Sequence, residues 1–182
     1  MFCRFGIGLG CLLAAFLLFA APATADELET RYARVVYADE GLLRALNEEV
    51  VPSGGLFSLG RRPQQVTIQD ELRNKLNTVV EKVMAVLEMR PKNLRFTLVL
   101  LPDAREVQRV FRENYGKEVD YIAFYSPKQK TMYLSVRDAE LRVMAHEIGH
   151  VVVDHYFDVP PPAKIHELLA QFAETHVTDL RP

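Results

Sequence analysis

ELRVMAHEIGHVVVDHYF, residues 140–157, is the stretch on which the reading of this chain turns. Leu141, Met144, Ala145, Ile148, Val151 and Val152 recur at threes and fours, the spacing that gives a helix one apolar surface. His146 and His150 stand four residues apart, so on a helix their rings lie one above the other with Glu147 beside them. These polar residues fall among the apolar positions rather than on a charged face. Partly buried imidazoles need partners, and a metal ion is an economical one. Gly149 lets another element come close to the helix at the same level.

H-E-x-x-H on a helix has a mechanical content: two imidazoles hold one ion, and the carboxylate reaches a water bound to it. The expectation is a single Zn2+ on His146 and His150 with Glu147 as general base. A third ligand must come from another element.

Upstream, VDYIAFYS and TMYLSV flank PKQK (127–130) and read as a β-hairpin of two half-buried strands. Asp138 is the expected cap of the motif helix, which runs to about Tyr156. Downstream, VPPP (159–162) breaks the chain and a last helix follows from about Ala163 to Val177. Further back, TRYARVVYA (30–38) reads as a first strand, and Asp39 caps a helix carrying Leu42, Leu43, Leu46 and Val50. PSGGLFSLGRRP (52–63) is the clearest loop, either a plain connection or a flap over a cleft. A long helix spans about Thr67 to Met89 and is ended by Pro91; LRFTLVLL (94–101) reads as an inner strand. DAREVQRVFRENYG starts at a capping Asp103 and stops at Gly116. The sum is an α+β fold: a small mixed sheet with a β-hairpin edge, packed against the motif helix, the long helix and the C-terminal helix.

HEIGH, preceded by a strand and hairpin and followed by a break and a second helix, resembles a zincin metallopeptidase over roughly Arg95 to Thr178. Val153 and Tyr156 stand where a metzincin carries glycine and histidine, so that branch is excluded. E-L-L-A-Q (167–171) is similar to the glutamate helix of the gluzincin branch. The resemblance implies Glu167 as third ligand, Ala170 as a gap for close helix packing, and Gln171 as a hydrogen-bond partner of a ligand histidine. Glu174 on the same face is the competing carboxylate, and Asp154 suits a salt link. His155, His166 and His176 read as surface or packing histidines. The resemblance further implies that TMYLS or IAFYS, around Tyr125 and Tyr133, forms an edge that aligns an extended peptide. The implied activity is hydrolysis of peptide bonds by a zinc-activated water, with Tyr156, Tyr125 or His155 as candidates to stabilise the oxyanion. The alternative is a non-catalytic zinc-binding or peptide- or envelope-binding module of the same fold.

The 182-residue chain opens with the pattern of a secretory signal peptide: MFCR, an apolar run, then APATA with cleavage expected after Ala25. A retained anchor and a lipoprotein signal at Cys11 are the other readings of that segment. Residues 26–182 are then one zincin-like domain, exported to the periplasm or secreted, with no stable membrane span after cleavage. Cys3 and Cys11 both lie in the leader, so the mature chain forms no disulfide. It carries 21 basic and 24 acidic residues, a formal charge of −3, and no basic patch that would suit nucleic acid. The partner expected is a peptide or protein substrate.

Overall fold

The computed structural model describes residues 25–50 and 67–179; the expected leader, up to its last residue, and the loop at 52–63 lie outside them. Among the described residues, β1 (Asp26–Glu29), β2 (Ala33–Tyr37), β3 (Phe96–Leu101), β4 (Ala123–Ser126) and β5 (Thr131–Ser135) form one mixed sheet. The strand order is β1-β2-β3-β5-β4. β2, β3 and β5 run parallel, and the two edge strands, β1 and β4, run antiparallel to their neighbours. The helices are α1 (Glu40–Glu49), α2 (Ile68–Val86), α3 (Ala104–Tyr115), α4 (Leu141–Tyr156) and α5 (Ala163–His176). This is the α+β class that the sequence pattern implies.

One face of the sheet carries the main core. Leu98 and Leu100 of β3 and Met132 and Leu134 of β5 are buried there with Leu43 and Leu46 of α1 and Leu72, Val79 and Val83 of α2. Met144, Ile148, Val151 and Val152 of α4 complete that core. Each buried leucine or valine contributes on the order of 2 kcal/mol through removal of apolar surface from water. α3 covers the other face through Val107 and Phe111, whose ring meets Phe124 of β4 edge-on at 5.1 Å.

Local chemistry accounts for most boundaries. Asp39 accepts from the Leu42 amide, Thr67 from the Asp70 amide, and Asp103 from the amides of Arg105 and Glu106, each satisfying first-turn donors. Gly116 ends α3 with φ 67°, a left-handed conformation glycine adopts without strain.

Four expectations need correction. The strand read at 30–38 is shorter, β2 at Ala33–Tyr37, and an unread strand, β1, precedes it; the Thr30 hydroxyl accepts from the amides of Tyr32 and Ala33 and turns the chain between the two. DELE hides as a strand because only Leu28 of β1 is buried. α2 stops at Val86, short of Met89, where Glu88 takes φ 54°, rather than at Pro91. Asp138 does not cap α4: it accepts from the Ser135 hydroxyl at 2.5 Å, and Glu140 holds the cap position without a side-chain bond. The hairpin strands are also buried on both faces rather than half-buried, because α3 and α4 sandwich them.

Candidate metal centre

α5 crosses α4 at Gly149. A Cβ there would lie 3.0 Å from the Ala170 Cα and 3.3 Å from the Ala173 Cβ, and both alanines are fully buried. The helices therefore meet almost backbone to backbone, and Glu167, one turn before Ala170, is laid across the two motif histidines.

Glu167 spans both rings. Its Oε1 lies 3.5 Å from Nε2 of His146 and its Oε2 lies 3.5 Å from Nε2 of His150. One donor atom from each of the three side chains falls within 4.8 Å of the other two. A tetrahedral ion with bonds of about 2.0–2.1 Å sets its donors roughly 3.3 Å apart, close to the spacing of Glu167 from both rings, so the trio could hold a metal ion once its donors draw together.

The outer edges of both rings are tied. Nδ1 of His146 donates to Glu174 at 2.9 Å; a carboxylate only accepts, so the tautomer leaves the Nε2 lone pair facing Glu167. Nδ1 of His150 lies 2.7 Å from Nδ1 of His166, with the two rings stacked 4.9 Å apart. Burial, with His146 and His166 adding to it, holds the His150 pKa down to about 3, so the ring is neutral and able to ligate.

Glu147 lies on the inner side of this group. It is 9% exposed, and burial pushes its carboxyl up to about 7. His146 and the Tyr125 backbone N–H favour its charged form, whereas Glu167 and Glu174 oppose it. The Tyr125 amide reaches it because of the strand register. The Ser135 amide donates to Ile122, so Ile122 and Phe124 bond inward to β5 while the backbone groups of Ala123 and Tyr125 face the free edge. A cleft of about 650 Å³ along this edge is lined by His146, Glu147, His150 and Glu167 together with Phe111 and Tyr121.

No protein-family model, curated protein or solved structure matches this chain. The site therefore stands on its own geometry.

That geometry gathers His146, Glu147, His150 and Glu167 into one cleft, with Ala170 at the close helix contact. Of the two edges offered by the hairpin, β4 is the free one among the described residues; β5 is enclosed between β3 and β4. Glu174 approaches His146 from the far side of the ring, as an orienting carboxylate rather than a rival to Glu167. Gln171 donates to Glu167 at 3.3 Å and not to a histidine, because it lies one turn on along the exposed side of α5. His166, read as a surface or packing residue, belongs to the site, since the close crossing brings the start of α5 over His150. A histidine directly before the candidate glutamate was the signal for it. Of the oxyanion candidates, the Tyr125 hydroxyl is bonded to Asp154 and His155 bonds the carbonyls of Val151 and Arg95. Tyr156 is half exposed and packs on Phe157 outside the cleft. Tyr121, not weighed in the sequence, does line it.

Proposed function

We propose that this protein is a zinc-dependent peptidase of gluzincin type, with His146, His150 and Glu167 as ligands and Glu147 as general base. The observation that carries the reading is the position of Glu147. A buried carboxyl stands beside two imidazoles and a bridging glutamate, and a site that only held a metal would not require it.

Zinc, when bound, supplies a Lewis acid that polarises a carbonyl and acidifies a water. Glu147 takes the proton of the attacking water and returns it to the leaving amine; its raised proton affinity suits a group that must hold the proton between the two steps. Glu174 and His166 fix the ligand rings, which keeps the Nε2 lone pairs in place. With the Tyr125 N–H taken by Glu147, the outward Ala123 N–H and carbonyl and the Tyr125 carbonyl offer hydrogen bonds to an extended peptide laid alongside, with its scissile bond near Glu147. Export to the periplasm or beyond rests on the leader pattern alone. No helix among the described residues is long and apolar enough to cross a membrane.

Peptide-library cleavage by zinc-loaded protein tests the reading, with Glu147→Gln alongside. The expected result is cleavage by the wild type and a loss of at least about a hundredfold in the variant with zinc retained. Full zinc occupancy with an untouched library favours the non-catalytic binding module, a reading supported by the engagement of the Tyr125 and His155 polar groups elsewhere.

A further inference from the structure

Part of the wall of the cleft is aromatic, and nothing in the chemistry of hydrolysis calls for it. Phe111 sits at its centre, with ring centroids 5.1 Å from Tyr121 and 5.1 Å from Phe124, both edge-on, and 4.6 Å from Tyr115. Phe124 in turn stacks on Tyr133 at 4.8 Å. This network anchors Phe111 and Phe124 from several sides, yet Tyr121 remains 47% exposed at the cleft. A tyrosine resting edge-on against Phe111 and left open to water offers a stacking surface.

The same wall is continuous with the free edge of the sheet. Tyr121 stands two residues before β4, and the outward backbone groups of Ala123 and the Tyr125 carbonyl follow. A peptide held along that edge therefore has its backbone satisfied by β4 and one side chain delivered to Phe111 and Tyr121. Among the described residues the cleft offers Asp120, Glu147, Glu167 and Glu174 and no lysine or arginine, so an acidic side chain finds no counter-charge from them. The aromatic faces fit a large, flat side chain, and the surrounding carboxylates disfavour an acidic one.

We infer that Phe111 and Tyr121 form a specificity subsite that selects extended peptides carrying a large aromatic side chain away from the cleaved bond. This rests on the peptidase reading above and adds the substrate class to it. The subsite lies about four residues from Tyr125, whose amide meets Glu147, a span of roughly 13 Å along an extended strand. The recognised side chain thus sits three or four residues from the reacting carbonyl, and a dipeptide cannot reach both.

The test uses zinc-loaded Glu147→Gln protein, which binds without turnover, and octapeptides of alanine and serine with one tryptophan moved along the chain. The protein has no tryptophan, so peptide fluorescence reports binding directly. The expected result is roughly tenfold tighter binding than the tryptophan-free peptide at one position of the scan, the gain typical of a buried aromatic contact. Tyr121→Ala, chosen because Tyr121 is exposed enough for the fold to tolerate the change, abolishes that gain. Equal affinity at every position overturns the inference, as does a preference that survives Tyr121→Ala. If the scan peptides do not bind at all, the peptide cleft itself falls and the subsite with it. Zinc stoichiometry, measured separately, then decides whether the metal centre still stands.

Discussion

Glu174 and Glu167 hold opposite edges of one ring: the Glu174 carboxylate is 2.9 Å from Nδ1 of His146, while Glu167 is 3.5 Å from its Nε2. The two glutamates lie seven residues apart on α5, nearly two turns, so both project from the same face. One is placed to ligate and the other to orient the ligand.

That division predicts unequal costs. Glu174→Gln keeps a hydrogen-bond acceptor but removes the charge, and zinc affinity should fall about 10- to 100-fold with the stoichiometry intact. Chelator competition measures this. A loss from Glu174→Gln as large as that from Glu167→Ala would mean the roles are assigned the wrong way round.

Gly149→Ala sets two effects against each other. Alanine favours the helix by about 1 kcal/mol over glycine. The added methyl would meet Ala170 Cα at 3.0 Å, and forcing α5 outward costs about 1–3 kcal/mol. Net stability therefore changes modestly in a urea titration, whereas zinc affinity should drop at least about tenfold because Glu167 moves with α5. Unchanged zinc affinity would show that the close crossing does not set the ligand geometry.

The raised proton affinity of Glu147 predicts a pH signature in metal-free protein. A carboxyl at about 7 when folded and near its ordinary value of 4.5 when unfolded stabilises the fold below about pH 4.5. That contribution is lost as pH rises through 7, an effect of about 3 kcal/mol. Glu147→Gln removes the dependence. In the presence of chelator its unfolding midpoint should exceed that of wild type at pH 8, and the advantage should shrink towards pH 4. Parallel pH profiles for the two proteins would mean Glu147 is solvated.

Asp154 joins α4 to the hairpin, accepting from the Tyr125 hydroxyl at 2.7 Å and from Lys130 at 2.5 Å. Its side chain is only 8% exposed, so the pair with Lys130 is better shielded than an open surface ion pair. Tyr125→Phe removes one partner and leaves the other, for an expected cost of about 1–2 kcal/mol in chemical denaturation. Asp154→Ala strands the buried tyrosine hydroxyl as well and should cost more. A negligible loss in both would mean the clamp does not hold β4.

What the sequence revealed followed from periodicity and caps. The 3.6-residue spacing through HEIGH located α4, the Asp39 and Asp103 caps located two helix starts, and the small residues Gly149 and Ala170 foretold the close crossing. Three features were less legible. β1 was missed because an edge strand with only Leu28 buried leaves no alternation to read. Asp138 misled because a side-chain oxygen before a helix can bond elsewhere, here to Ser135. His166 was read as a surface or packing histidine and Tyr121 was not considered, because only the packing of α5 on α4 brings the first against His150 and only that of α3 on β4 brings the second to the cleft.

Cobalt(II) titration of metal-depleted protein, followed by its visible absorption, tests the proposed metal centre most directly. The account predicts one ion per chain with the intense bands of a near-tetrahedral site, unchanged stoichiometry in Glu147→Gln, and loss of the bands in His146→Ala and Glu167→Ala. Absence of stoichiometric binding by the wild type, or a Glu167→Ala variant that binds as the wild type does, would contradict it.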